Sequence, residues 1–262
     1  MRRLLIQADD FGLTEGVTEG ILQAMREGVV TGASAMVCRP EFLGHIARLA
    51  PQAPASLGLH LQLTDGIPIS SPAAIPSLVD AHGHFPRHRD QLGQPRTGEV
   101  LLEWRAQLAA LRELGVEPSR LDTHHSVHVL PGVDAAYAQL ARETGLPIRG
   151  ASVEWNQAAR RAGLLCSDRY LCLWTGRPIR SHAIPETLRV LDRFIPNPGS
   201  VELACHPGRV DDMLRARSSY ADRREEELAV LCRPELRRRI EDLGYLLVGP
   251  KALTQPLAVE PS

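Results

Sequence analysis

The sequence predicts an α/β fold: a mainly parallel sheet that closes into a distorted (β/α) TIM-like barrel. Short apolar runs alternate with longer amphipathic stretches along all 262 residues, a pattern typical of parallel sheets covered by helices. This length is usual for one barrel domain. Neither G-x-G-x-x-G nor G-x-x-x-x-G-K follows a predicted strand, which disfavours an open nucleotide-binding sheet. We therefore expect a single domain over 1–262.

The predicted strands are short apolar runs bounded by turn residues. The first is Leu-Leu-Ile at 4–6, and the third alternates leucines with Gly58, His60 and Gln62, as expected of a strand with two unlike faces. The last strands follow proline- or glycine-containing turns. The full set of predicted strands is 4–6, 30–37, 56–63, 120–123, 147–150, 200–205 and 245–248.

Helical spacing and end signals predict the helices between these strands. Thr14 suits an N-cap and Gly28 a helix stop, and Pro40 suits a first helical turn. The clearest periodicity lies in the third helix, where the apolar face is Val100, Leu101, Trp104, Leu108 and Leu111. The predicted helices are 14–26, 40–49, 99–114, 133–143, 186–194, 223–231 and 234–243.

Two long segments interrupt the alternation, at 64–98 and 156–185. The first is rich in proline, glycine and histidine, and the second is predicted to be irregular. Long loops in a compact domain usually cover or bind a ligand. Trp155, Tyr170 and Trp174 are candidates for stacking on a ligand, with local packing as the plain alternative.

Composition and charge exclude several classes of protein. The net charge is −1, which leaves no field for counterion-driven binding of nucleic acid. No apolar run reaches the length of a membrane span, and the N-terminal apolar stretch is too short for a signal peptide. The five cysteines are scattered without a C-x-x-C pair. This spacing disfavours a disulfide framework or a thiolate zinc site and predicts a cytoplasmic protein.

Adjacent carboxylates follow the first predicted strand. Asp9 and Asp10 come shortly after the run 4–6, and the carboxyl ends of parallel barrel strands form the active-site face. Neighbouring residues leave a strand in different directions. We therefore expect one carboxylate to bind a metal and the other to handle a proton. The alternative is that one caps the next turn and the other is solvated.

Histidines mark two further strand ends. His60 lies within an otherwise apolar strand, where a bare imidazole is costly, although a hydrogen-bonded core histidine is the commoner case. His124 and His128 have the H-x-x-x-H spacing, which predicts two imidazoles on one face. Asp122 is expected to orient an imidazole through its second nitrogen, and His125 completes a cluster too dense for a solvated surface.

One aspartate and two histidines on separate strand ends form a mixed oxygen and nitrogen donor set. Such a set leaves coordination positions open, as a catalytic metal requires. It suits zinc, manganese, cobalt, nickel or iron, and magnesium less naturally because magnesium prefers oxygen. These residues by themselves do not choose among the metals.

Two residues complete the candidate chemistry. Pro207 ends the strand 200–205, so His206 is expected at the rim, where a general acid could reach a leaving group. A histidine in a turn is the plain alternative. Arg149 comes just after Pro147-Ile148 in the predicted strand 147–150 and is a candidate to orient a carboxylate or to bind substrate.

Four motifs give the chain a family resemblance. With them the sequence resembles the YdjC-like carbohydrate deacetylases, which include chitooligosaccharide deacetylases and deacetylases associated with hopanoid biosynthesis. Segments 28–31, 75–80 and 220–228 look like the family as well, so the resemblance covers nearly the whole chain. The motifs are Ala8-Asp9-Asp10-Phe11-Gly12, Gly58-Leu59-His60-Leu61, Leu121-Asp122-Thr123-His124-His125-Ser126-Val127-His128 and Cys205-His206-Pro207-Gly208.

The resemblance implies a barrel related to the polysaccharide deacetylases and hydrolysis of the N-acetyl group of an amino sugar. It implies a divalent metal ion, magnesium or zinc first, whose ligands carry over to Asp10, His60 and His124. Asp9 falls at the position of the proposed base and His206 at that of the proposed acid. Residues implied to touch substrate or support the ligands are Asp122, His125, His128 and Arg149.

Three departures from the family pattern bear on the pocket. Ser126 replaces a common histidine, and Cys38 and Thr18 each stand where asparagine is common. None removes an implied ligand, so the departures put substrate identity, not catalysis, in question.

Two other functions stay open at this point. A phosphoesterase on the same barrel would need more basic residues at the strand ends than Arg149 and Arg209. A non-catalytic sugar-binding module would not need a base and an acid beside a metal. The expected partner is a small carbohydrate of the N-acetylglucosamine type, and exposed barrel helices make a homodimer reasonable.

Overall fold

The structure is a computed structural model that describes residues 1–53, 57–174 and 176–254. Its strands are β1 (Arg2–Phe11), β2 (Gly32–Ala35), β3 (Gly58–Leu61), β4 (Leu121–Thr123), β5 (Arg169–Cys172), β6 (Ser200–Cys205) and β7 (Tyr245–Leu247). Its helices are α1 (Glu15–Glu27), α2 (Leu43–Leu49), α3 (Thr97–Glu113), α4 (Val133–Thr144), α5 (Val153–Arg161), α6 (Ala183–Leu191), α7 (Asp212–Arg217), α8 (Asp222–Leu231), α9 (Pro234–Glu241) and α10 (Pro250–Leu253).

The strands form a curled parallel sheet in the order β4-β3-β2-β1-β6-β5, and β7 pairs with β1. The central strand, β1, pairs with β6 along Arg3–Ala8. On its other side β1 pairs with β7 at its beginning and with β2 toward its end. Helices cover the outside, so the chain folds as a distorted (β/α) barrel, as the sequence predicts.

The barrel wall is irregular between β4 and β5. The predicted strand 147–150 is reduced to a single bridge between Leu121 and Ile148. The Ile148 N–H donates to the Leu165 carbonyl at 2.7 Å, and this bond continues the wall toward β5. Residue 147 is a proline, which cannot donate to a ladder, so the segment makes too few bonds for a full strand.

The prediction that 156–185 is irregular is wrong at three places. Helix α5 covers its beginning, β5 lies in its middle, and α6 begins at Ala183. β5 has the sequence Arg-Tyr-Leu-Cys, which shows no clear alternation, yet it pairs with β6 over its whole length. Its strand conformation comes from the exposed edge of β6, a tertiary effect that local sequence does not show.

The predicted helix ends are mostly confirmed. Thr14 Oγ1 accepts from the Val17 N–H at 3.2 Å and caps α1, and the apolar face predicted for α3 is buried. Residues 40–49 divide into a 3-10 turn at Pro40–Phe42 and the shorter α2. In the predicted strand 56–63, residue 56 lies outside the described residues.

The barrel interior changes character along its axis. Leu5, Val248 and Leu253 form a small apolar cluster at the end where β1 begins. Toward the carboxyl ends of the strands the interior is polar, with Gln7, Asp122 and Glu202 fully buried. Polar groups in such a place must bind one another or a ligand, and they mark the end of the barrel where a site can form. Within the described ranges, none of the helices has both the length and the apolar character of a membrane span.

Candidate active site

A cleft of about 670 Å³ opens at the carboxyl ends of the strands. Most of the residues predicted to carry chemistry line it. The segment predicted as a long loop at 64–98 contributes one wall through His88, Arg89 and Asp90. The lining residues from the predicted site are Asp9, Asp10, His60, His124, His125, Arg149 and His206.

A backbone irregularity brings the adjacent carboxylates into the same cleft. The pairing of β1 with β2 shifts register between Ala8 and Phe11, and Asp10 has a left-handed backbone with φ 72°. Such a bulge redirects a side chain that a regular pleat would send to the other face. Asp9 and Asp10 therefore both face the cleft while keeping different partners, and non-glycine residues in this conformation are concentrated at functional sites.

Asp9 is held by a buried arginine. The Arg149 guanidinium donates to both Asp9 oxygens, at 2.6 and 2.7 Å, and its Nε donates to Glu202 Oε1 at 2.7 Å. Burial lowers the pKa of Arg149, but the charges of Asp9 and Asp122 outweigh burial and raise it well above its usual value. Arg149 thus orients a carboxylate, one of the two roles predicted for it.

Asp10 is held by an arginine that the sequence analysis did not single out. Arg224, on α8, donates from Nη2 to Asp10 Oδ2 at 2.6 Å. Burial alone would raise the pKa of Asp10, but the Arg224 charge and hydrogen bonds from His124 and His60 keep it well below its usual range. The second oxygen, Oδ1, faces His60 Nε2 at 3.3 Å and His124 Nδ1 at 3.1 Å.

Asp122 orients His60, as predicted. His60 Nδ1 lies 2.7 Å from Asp122 Oδ1, so that its Nε2 points toward Asp10. Burial lowers the pKa of His60, but the charges of Asp9 and Asp122 and the hydrogen bonds that the ring donates to Asp10 and Asp122 raise it to about 10. Carboxylates on both sides of the ring therefore favour a positive charge at this position.

The histidine cluster after β4 does not form one face. His125 and Ser126 have left-handed backbones, with φ 54° and 52°, which interrupts the helical spacing assumed for H-x-x-x-H. His124 lines the cleft, whereas His128 is fully buried between Thr123 Oγ1 and the Gly150 carbonyl. The prediction that His124 and His128 share a face is wrong because the turn between them is not helical.

His125 stacks against the candidate metal ligand. The centroids of the His125 and His124 rings lie 3.8 Å apart, and His125 Nδ1 is 3.0 Å from Thr64 Oγ1. Burial and the neighbouring His124 lower the pKa of His125 to about 3. Burial and Arg149 lower the pKa of His128 to about 4. Both imidazoles are neutral near pH 7.

His206 stands at the rim, as predicted. Its side chain is 24% exposed, and its Nε2 lies 3.7 Å from Asp9 Oδ2. Among the aromatic candidates, Tyr170 lines the cleft, and the Arg149 guanidinium lies over its ring at 5.2 Å. Trp174 is buried, and Trp155 packs against the His128 ring.

Several buried charges that support the site are not among the predicted site residues. Glu202 bridges Arg149 and Arg120, which donates to it at 2.7 Å. A glutamate inside the apolar strand β6 is the same signal that drew attention to His60, so Glu202 could have been found. Arg224 and Glu227 lie on a helix with an ordinary charged sequence, and local sequence offers no such signal for them.

The donor atoms of Asp10, His60 and His124 all lie within 4.8 Å of one another. Ligands of one divalent ion each lie about 2.0–2.2 Å from it, so these atoms can share an ion. His124 Nε2 is buried without a hydrogen-bond partner among the described residues. Four buried carboxylates at the site pair with only three guanidinium groups. The carboxylates are Asp9, Asp10, Asp122 and Glu202, and the guanidinium groups are Arg120, Arg149 and Arg224. The residues fit a cation.

Known proteins resemble this chain over nearly its whole length. The family model for YdjC-like proteins matches residues 3–242. The chain belongs to the YdjC family. It is similar to a carbohydrate deacetylase of Geobacillus stearothermophilus, with 37% identity over 94% of this chain and 96% of the relative. It is also similar to a chitooligosaccharide deacetylase of Yersinia enterocolitica, with 33% identity over 93% and 96%.

Two solved structures resemble this fold to different degrees. A crystal structure of an Enterococcus faecalis protein named for cellobiose-phosphate cleavage superposes with a TM-score of 0.86 at 32% identity, over 97% of this chain and 99% of that one. A family 4 carbohydrate esterase of Streptococcus mutans gives a TM-score of 0.54 at 14% identity, over 94% and 85%. At that identity the likeness shows a shared fold alone.

Replacing Arg149 by methionine is expected to lower the free energy of unfolding by about 3–5 kcal/mol, because it leaves Asp9 buried without its guanidinium partner and removes one of the two that pair with Glu202. Urea unfolding monitored by circular dichroism measures the change. The matched control is Arg105→Met, which removes an arginine from an exposed pair with Glu143 and should leave the midpoint nearly unchanged. Equal midpoints for the two variants would contradict a supporting role for Arg149.

Proposed function

We propose that the chain is a metal-dependent carbohydrate deacetylase that hydrolyses the N-acetyl group of a small amino sugar and releases acetate. The observation that carries the proposal is the arrangement in one cleft of a cation site, a carboxylate and a rim histidine. Relatives that match over nearly their whole length are named carbohydrate and chitooligosaccharide deacetylases, and this supports the same reaction class here.

The proposed ligands of the divalent ion are Asp10, His60 and His124. When bound, the ion polarises the amide carbonyl and lowers the pKa of water toward neutrality. Arg224 fixes one Asp10 oxygen and leaves the other for coordination. Asp122 fixes the tautomer of His60 by accepting from its Nδ1–H, the usual support for a ligating histidine. The donor set suits zinc, and magnesium stays the other candidate.

Asp9 is the proposed general base. Its side chain is 6% exposed and reaches the cleft. The two hydrogen bonds from Arg149 hold both oxygens in one orientation. A carboxylate has about four acceptor sites, so each oxygen keeps a lone pair for the proton of an attacking water. Asp9 and Glu202 accept three hydrogen bonds from Arg149, so the proposed role of this guanidinium is to orient the base.

His206 is the proposed general acid. Its Nε2 lies 3.7 Å from Asp9 Oδ2, so base and acid lie side by side in the wall of the same cleft. An amine is a poor leaving group unless it receives a proton as the C–N bond breaks. His206 gives that proton, and the products are acetate and a free amine.

The geometry disfavours the phosphoesterase alternative. Two arginines are candidates to hold a phosphate group, and both have other partners. Arg149 is bound to Asp9 and Glu202, and Arg209 donates to Gln23. Arg89 lines the cleft at its exposed wall. A sugar-binding module without catalysis would not need the buried ion pairs that fix Asp9 and Asp10. A cytoplasmic location and a homodimer stay predictions.

Acetate release from N-acetylglucosamine oligomers, with and without a chelator, tests the proposal. Wild-type protein is expected to release acetate, to lose more than about 100-fold in rate after removal of the metal, and to recover when Zn²⁺ or Mg²⁺ is restored. Activity on 4-nitrophenyl phosphate in place of acetate release would favour the phosphoesterase. Oligomer binding without any acetate would favour the sugar-binding module.

A further inference from the structure

Helix α8 places a fully buried carboxylate directly behind His206. Glu227 Oε2 accepts from the His206 backbone N–H at 2.6 Å, and Glu227 Oε1 lies 4.0 Å from His206 Nδ1. The Glu227 side chain is 0% exposed, against 24% for His206. One carboxylate therefore contacts both the backbone and the ring side of the residue proposed as the acid.

A second contact fixes the orientation of that carboxylate. Tyr220 Oη donates to Glu227 Oε1 at 2.5 Å. Tyr220 lines the cleft, and its ring meets the His206 ring edge-on at 5.8 Å between centroids. Tyr220 thus closes one side of the His206 pocket while it holds the carboxylate that faces Nδ1.

Within the described part of the chain, Glu227 forms an ion pair with no residue other than His206. Arg224 lies three residues earlier on the same helix, but its guanidinium binds Asp10 instead. A buried carboxylate is costly unless a positive group compensates it. The group placed to do so is the His206 ring, whose Nδ1 faces Glu227.

We propose that Glu227 is the positioning residue for His206. It holds the ring with Nδ1 toward α8 and Nε2 toward Asp9 and the cleft, and its charge balances the imidazolium that donates a proton to the departing amine. This inference rests on the proposed function, because it assigns Glu227 a role only in protonating the leaving group. Through Arg224 and Glu227, one face of α8 supports a metal ligand and the acid together.

The leaving group provides the test. Departure of an amine from an N-acetylglucosamine oligomer needs a proton, whereas 4-nitrophenolate departs from 4-nitrophenyl acetate without one. For Glu227→Gln we expect kcat on the oligomer to fall about 100-fold, with KM within about 2-fold. Ester cleavage should lose less than about 3-fold, because the metal ligands and Asp9 are intact.

A double-mutant cycle separates positioning from general destabilisation. His206→Asn should show the same amide-specific loss, and adding Glu227→Gln to it should cost less than about 2-fold more, because the two residues act as a unit. The matched control is Glu226→Gln, on the exposed face of α8, which should match wild type on both substrates. If Glu227→Gln melts below the assay temperature, Tyr220→Phe takes its place and should give a smaller loss restricted to the amide.

Equal losses on amide and ester, full amide activity in Glu227→Gln, or additive losses in the double variant would each overturn the role of Glu227. These results leave the deacetylase assignment standing, because wild-type protein still releases acetate. A wild-type protein that releases no acetate overturns the proposed function and the role of Glu227 with it.

Discussion

Asp9→Asn is expected to lower the rate of acetate release by about 10³-fold, because an amide cannot take the proton of an attacking water. The substitution keeps the shape of the side chain and one oxygen that can accept from Arg149. Metal content should stay at the wild-type level because Asp9 belongs to the base and not to the ligand set. Acetate assays and elemental analysis of the same sample measure both quantities.

The control for Asp9→Asn is Asp134→Asn, an exposed aspartate in the first turn of α4, for which activity and metal content should match wild type. Thermal unfolding of both variants checks that they are folded, since Asp9→Asn weakens a buried ion pair. Turnover at the wild-type rate in Asp9→Asn would remove Asp9 from the mechanism and leave the cleft without its proposed base.

Asp10→Asn is expected to weaken metal binding by more than about 100-fold, the upper range for loss of a partner that only supports a ligand. The variant replaces the anionic oxygen that faces both His60 and His124, and it weakens the hold of Arg224 on this side chain. Acetate release should fall with metal occupancy and recover in part at high metal concentration. Titration against a chromophoric chelator measures the affinity.

Comparing the two neighbouring variants makes the result decisive. Asp9→Asn should keep the metal and lose turnover, whereas Asp10→Asn should lose the metal first. If both variants lose metal equally, the donor set includes Asp9 and the separation of roles is wrong. If Asp10→Asn retains wild-type affinity, the ion binds elsewhere among the charged groups of the cleft.

The sequence was most informative where side-chain chemistry conflicted with its surroundings. Three kinds of residue stood out in this way and line the cleft of the structure. They are the carboxylates after an apolar run, a histidine within an apolar strand and an arginine in a short predicted strand. These residues stand out because burying them without partners is costly. The sequence was least informative in 156–185, where β5 forms because it can pair with the edge of β6.

The sequence by itself determined the barrel and the identity of the groups at its carboxyl end, since periodicity and buried charge are local properties that residue order carries. Only the tertiary structure decided how those groups are used. The left-handed backbone at Asp10 turned it into the cleft beside Asp9, and the left-handed turn at His125 and Ser126 sent His128 into the core. From α8, Arg224 reaches Asp10 across 214 residues of chain and Glu227 reaches His206 across 21, because electrostatic partners of buried groups are chosen by distance in space.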